Sequence, residues 1–160
     1  MMDNKPDAYI SHDITIGEAH QVTPGLIKTF EYLIPQLGED SSPSEKELYD
    51  ITHSKSASLL LAYGKPLTIL GTLTLLIITI PTGTCARIED FVVDKSMRGK
   101  GIGKALMREA LRRAENSGAK IVDLTSHPNR TSANNFYLKA GFNIRETNVY
   151  RFELNCSSSQ

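Results

Sequence analysis

Apolar residues recur along this chain with two periods, and the switches between them mark out its elements. Ile10, Ile14 and Ile16 predict a first strand near 10–19. Thr23-Pro24 opens a helix, an N-cap residue followed by proline at the first helical position. Leu26, Ile27, Phe30, Leu33, Ile34 and Leu37 then fall on one helical face, stopped by Gly38. After a loop at Asp40 to Pro43, Ser44-x-x-Glu47 is a capping box and predicts a second helix over 45–53. Ala57 to Tyr63 and Leu67 to Ile80 read as strands of an antiparallel hairpin, turned at Gly64-Lys65-Pro66. Pro81-Thr82-Gly83 turns into a strand from Thr84 to Val93.

Past Arg98 the period changes again. Ile102, Ala105, Leu106, Ala110, Leu111 and Ala114 stand at three- and four-residue spacings, with Gly118 as the stop. Ile121 to Thr125 is a short apolar strand, 126–130 a polar loop, and about 131–140 a short helix ending at Gly141. Phe142 to Leu154 reads as closing strands with a turn near Glu146 to Asn148. Residues 155–160 read as a disordered tail after a single domain over 1–154. The order β-α-α-β-β-β-α-β-α-β-β is a mixed α/β sheet with helices on both faces, antiparallel at the front and parallel around the central helix.

Composition narrows the function classes. Lys plus Arg and Asp plus Glu both number 18, so no global charge steers the chain to nucleic acid. The run from Leu67 to Ile80 is too short to span a bilayer, and MMDNKPDAYISHD lacks the apolar core of a signal peptide. The expectation is a cytoplasmic protein with no membrane or nucleic-acid partner. Cys85 and Cys156 read as free thiols, and four histidines without ligand spacing predict no metal site. A homodimer is compatible with the sequence.

The chemistry concentrates at Glu89 to Ala114, EDFVVDKSMRGKGIGKALMREALRRA. A strand, a polar loop and a glycine-rich turn lead straight into a helix. The first turn of a helix has four N–H groups without intrahelical partners, and the macrodipole adds about half a positive charge. Gly99, Gly101 and Gly103 permit close approach and φ > 0, while Arg98, Lys100 and Lys104 add charge. A phosphate or pyrophosphate is the natural guest, held along Arg98, Gly99, Lys100, Gly101, Ile102, Gly103 and Lys104. The P-loop pattern fails, with Arg98 in place of its first glycine and Ala105 in place of its Ser or Thr. The dinucleotide pattern fails at Lys104 or Leu106, depending on where it starts.

Arg98-x-x-Gly101-x-Gly103 resembles the pyrophosphate signature of the GNAT superfamily of acetyl-CoA-dependent N-acetyltransferases. A second resemblance lies in Ala133-Asn134-Asn135-Phe136-Tyr137-Leu138-Lys139-Ala140-Gly141-Phe142, similar to that family's A-N-x-x-Y-x-x-x-G-F segment. The two motifs stand in the family's order and cover roughly the second half of the chain. The resemblance implies a mostly antiparallel sheet with a V-shaped split between two central parallel strands. It implies acetyl-CoA as co-substrate, an amine acceptor and direct transfer in a ternary complex. The first-half helices would flank the substrate cleft. Arg130 stands where many members have Asn, which leaves Asn134 as the better coenzyme contact.

The resemblance also implies the site residues. Tyr137 matches the tyrosine that faces the coenzyme sulfur, and a phenol can protonate a departing thiolate. Its alternative role is core packing, since Ala133, Phe136, Tyr137 and Ala140 form a stripe. Ile88-Glu89-Asp90 resembles the strand of glucosamine-6-phosphate N-acetyltransferases that carries an acid facing the amine, so Glu89 is the candidate base. Salt bridging to Arg87 or Arg98 is the alternative for Glu89 and Asp90, and a water chain could replace both. Strict alternation places Arg87, Glu89, Phe91 and Val93 on one face and Ile88, Asp90 and Val92 on the other. Main-chain groups of Phe91 and Val93 would hold the pantetheine arm beside a bulge near Glu89 to Phe91. Asp90, Asp123 and Thr125 are substrate-contact candidates, while His127 and His53 read as loop and solvent-facing residues. The competing reading is a non-catalytic acyl-CoA-binding sensor; the acceptor amine is not legible.

Overall fold

The computed structural model describes residues 14–38 and 42–154. Ile10, the loop at Asp40 and Ser41, Cys156 and the predicted tail lie outside the described residues. The chain divides into two compact units, Met1–Thr125 and Ser126–Gln160.

The first unit carries β1 (Thr15–Glu18), α1 (Pro24–Leu33), α2 (Glu45–Thr52), β2 (Ala57–Gly64), β3 (Thr68–Ile80), β4 (Gly83–Val93), α3 (Ile102–Asn116) and β5 (Val122–Leu124). Short 3-10 turns cover Ile34–Leu37 and Lys95–Met97. Local chemistry sets these bounds as expected. Thr23 caps α1 through Leu26 N–H, and Ser44 and Glu47 cap each other at α2. The five strands lie in chain order, β1-β2-β3-β4-β5. All neighbours are antiparallel except the parallel pair β4–β5.

Helices cover both faces, and the register shows which residues face which. Leu59 and Leu61 of β2 lie opposite Thr74 and Thr72 of β3. They pack with Leu26 and Phe30 of α1, Ile34 of the 3-10 turn after it and Leu48 of α2. Leu60 lies opposite Leu73, and Leu75 opposite Ile88, on the other face. There α3 lies across β2, β3 and β4 and buries Ile102, Leu106, Met107, Ala110 and Ala114. A strand covered on both sides reads as an unbroken apolar run, which accounts for Leu59, Leu60, Leu61 and Ala62 all being buried. Thr72 and Thr74 are the buried polar residues among those described, and Thr72 Oγ1 donates to Leu60 O at 3.0 Å.

The second unit carries α4 (Thr131–Lys139). The closing strands expected over Phe142 to Leu154 are not there. No described residue in that stretch forms part of a strand, and Ile144, Val149, Tyr150, Phe152 and Leu154 are exposed. Apolar alternation makes a strand only where an edge accepts its main chain, and no such pairing forms here.

Candidate functional site

The sheet opens at the end of β4. Strand β5 pairs with β4 over three residues, Ala86↔Val122, Arg87↔Asp123 and Ile88↔Leu124. Among the described residues, no strand pairs with β4 on that side from Glu89 to Val93. The end of the β4–β5 pairing, at Ile88↔Leu124, is followed at once by a bulge in β4 near the residues where one is expected. Thr74 lies opposite Glu89 but Thr72 lies opposite Val92, so one residue is extra in β4. Asp90 sits there at φ 48°, in the left-handed region, and is exposed.

The bulge corrects the alternation read from sequence. Val92 shares the face of Glu89, because their partners Thr72 and Thr74 are two apart. Val93, opposite Gly71, shares the face of Ile88. The extra residue shifts the parity of everything after it, which no sequence period reveals.

The same count turns main-chain groups outward. Asp94 N–H donates to Leu70 O at 2.9 Å, toward β3. Alternation then turns the main-chain groups of Val93 toward the side where β5 pairing has ended. Val93 O accepts from Arg98 Nε at 3.1 Å.

Charges gather on the face of Glu89. Arg87 and Glu89 form an ion pair, and the register places Asp123 beside Arg87 on the same face. Of the two pairing partners considered for these carboxylates, Arg87 is the one Glu89 takes. Thr125 lies just past β5 and is exposed.

The glycine-rich turn follows β4 through the 3-10 turn. Gly99 and Gly101 have φ of 79° and 82°, and α3 begins directly after them. Gly101 is the N-cap, and no side chain caps the helix. No acidic residue stands in its first turn. Ile102 is buried and fixes the helix start, while Arg98, Lys100 and Lys104 are exposed. Lys100 Nζ lies 3.4 Å from Met97 Sδ. An uncapped helix start, two left-handed glycines and three cations fit a pyrophosphate.

The loop leading to this turn is tied to α1, which the sequence did not reveal. Asp94 Oδ1 accepts from Ser96 N–H at 2.9 Å, Ser96 Oγ at 3.0 Å and Tyr32 Oη at 3.3 Å. Lys95 N–H donates to Gln36 Oε1 at 2.8 Å. Burial alone would raise the Asp94 carboxyl, but the bonds from Ser96 and Tyr32 outweigh it and hold it below the usual range.

In the second unit, Tyr137 is buried on α4, edge-on to Phe136 at 5.7 Å and to Phe142 at 6.2 Å. Burial raises its phenol above the ordinary value, and the Arg130 charge offsets only part of that. Asn134 donates from Nδ2 to His127 O at 3.1 Å and Pro128 O at 3.2 Å, so it braces the loop before its own helix. Arg130 stands at the N-cap of α4 with no side-chain cap bond. His127 Nδ1 accepts from Asn129 N–H at 3.2 Å, a loop role as expected. His53 ends α2, exposed and stacked on Tyr49 at 3.9 Å.

Among the described residues, no group of three or more His, Cys, Asp or Glu could hold a metal ion. No helix of the described residues is long and apolar enough to cross a membrane.

Comparison with known proteins converges on one family. Residues 26–142, spanning both units, match the acetyltransferase (GNAT) family. A 61-residue stretch is 38% identical to an uncharacterized N-acetyltransferase of Methanocaldococcus jannaschii, covering 38% of this chain but only 27% of that relative. An acetyltransferase of Trypanosoma brucei has a similar structure, with TM-score 0.71 and 26% identity over 89% of this chain and 100% of the other. Glucosamine-6-phosphate N-acetyltransferase of Arabidopsis thaliana aligns with TM-score 0.70 over 86% of this chain and 98% of its own, at 20% identity, a likeness of fold alone.

Proposed function

The chain belongs to the GNAT acetyltransferase family, and from that premise we propose that it moves an acetyl group from acetyl-CoA to a primary amine by direct attack, with both substrates bound together. It is an acyltransferase; the donor, the acceptor class and the residue roles are the proposal. The observation that supports it is that β4, past the end of its pairing with β5 at Ile88, leads through a bulge and the glycine-rich turn to a start of α3 that no side chain caps.

Arg98 to Lys104 would hold the pyrophosphate, with first-turn N–H groups donating and Arg98, Lys100 and Lys104 supplying charge. Main-chain groups of Phe91 and Val93 would hold the pantetheine arm along the open side of β4. Bound there, acetyl-CoA supplies an activated acetyl thioester. A lysine-like amine has a pKa near 10.4, so the acceptor must lose a proton before it attacks. Glu89 would take that proton, with Arg87 fixing its carboxylate on the face it shares with Asp123. Asp90, Asp123 and Thr125 are the side chains proposed to meet the acceptor. Tyr137 would donate a proton to the departing thiolate, since a phenol holds its proton at neutral pH. Asn134 would offer its carboxamide oxygen to the coenzyme, its nitrogen being engaged in the loop.

The test is an amine panel incubated with acetyl-CoA and protein, read by free coenzyme A thiol. Release with at least one amine is expected. Binding of acetyl-CoA without release for any amine would favour the sensor reading, and absence of binding would overturn both.

A further inference from the structure

Tyr32 and Gln36 bridge two parts of the first unit that are about sixty residues apart in sequence. Tyr32 lies on α1 and Gln36 in the 3-10 turn that continues it. The bonds close a ring. Tyr32 Oη donates to Asp94 Oδ1 at 3.3 Å, Lys95 N–H donates to Gln36 Oε1 at 2.8 Å, and Gln36 Nε2 donates back to Tyr32 O at 3.3 Å. Leu26, Phe30, Leu33 and Ile34 seat α1 on the sheet from its other side, so the helix does not need these two residues to stay in place. Hydrogen bonds this exposed add little net stability. Their geometric effect falls on the chain they grip. Lys95 follows the last anchor of β4, Asp94 N–H to Leu70 O, and the next residues are the 3-10 turn and Arg98.

We propose that Tyr32 and Gln36 are positioning residues, a latch from α1 that sets the loop at 94–101 for coenzyme. The proposal rests on the acetyl-CoA reading above. The latch limits the positions open to the loop, so less ordering remains to be done when the pyrophosphate binds. It also ties the coenzyme turn to a helix on the face that carries Glu89, so displacement of α1 is transmitted to the turn.

The experiment uses the full chain with Gln36→Met, which keeps side-chain length but loses the acceptor, and Gln36→Glu, which retains an acceptor oxygen. Amide exchange by NMR on the protein alone should show Lys95 N–H exchanging faster in Gln36→Met and protected again in Gln36→Glu. Calorimetry should show acetyl-CoA binding weakened by roughly three- to tenfold in Gln36→Met, the range one net hydrogen bond supplies, and recovered in Gln36→Glu. Tyr32→Phe should weaken binding in the same direction. Melting temperatures should stay within about 2 °C of the parent, as for exposed surface changes. If the parent binds acetyl-CoA and Gln36→Met binds it equally well, the latch is overturned and the function reading stands. If the parent itself does not bind, the function reading fails and the latch with it.

Discussion

Tyr137 combines a buried ring with a phenol that holds its proton at neutral pH, so packing and proton donation need not exclude each other. Tyr137→Phe separates them, since the ring contacts with Phe136 and Phe142 survive and only the hydroxyl goes. Turnover should fall by about 10²–10⁴, the usual range for a positioned general acid, with the acetyl-CoA dissociation constant nearly unchanged. A change of only a few-fold, measured on the same preparation, would leave Tyr137 as packing. Glu89 is tested by shape-preserving Glu89→Gln, which should cost rate mainly at lower pH, where a base is most needed. An unmoved pH–rate profile would pass the role to water or Asp90. At this scale the motif around Tyr137 was readable because it depends on spacing along one helix. Tyr32 and Gln36 were not, because they lie outside the apolar stripe of α1 and their partners are distant in sequence.

The start of α3 is the element on which the proposed coenzyme binding depends. Gly101 has φ 82° and serves as N-cap, so any side chain there strains the backbone, and a carboxylate repels the anion the helix start would attract. Gly101→Asp should weaken acetyl-CoA binding at least tenfold by calorimetry, an estimate of order of magnitude for losing a helix-start anion site. Circular dichroism would establish that the variant is folded, and undiminished binding would sink the assignment. Elements whose limits are local chemistry were legible, such as α1 after Thr23-Pro24 and α2 after Ser44. The closing strands over Phe142 to Leu154 were not, because a strand is completed by a neighbour and the alternation of Tyr150, Phe152 and Leu154 names none.

Across the first unit, α3 is fastened to the sheet edge by charge as well as by packing. Glu109 receives Arg112 Nε at 2.8 Å, Arg112 Nη2 at 2.7 Å and Arg113 Nε at 2.8 Å, and Arg113 also pairs with Glu18 of β1. The Arg112 bonds come first in holding Glu109 down to about 2 against an ordinary 4.5, with burial opposing and Arg113 assisting. A depressed folded pKa means that this stabilisation is complete above about pH 4.5 and drains away as pH falls toward 2. Glu18 shifts in the same direction, since Arg113 and Ser58 outweigh its burial. Glu109→Gln should therefore melt lower than the parent at pH 7, by at most about 4 °C for so exposed a network. The gap should shrink as the pH is lowered from 5 to 2; a gap that stays constant in thermal scans would refute the linkage.

The extra residue at Asp90 can be considered as an insertion. Because it only adds one residue opposite the interval between Thr72 and Thr74, removing its codon would leave Glu89 opposite Thr74 and Val92 opposite Thr72. Every facing downstream would survive, and the left-handed residue would be gone. Lost with it would be the kink and the added twist that a bulge puts into its strand. The shortened chain should thus fail to retain acetyl-CoA in calorimetry, while a shortened chain that still binds would show that the bulge does not shape the proposed coenzyme site. A reading-frame-preserving loss of three nucleotides would then trade the proposed site for a regularly paired sheet.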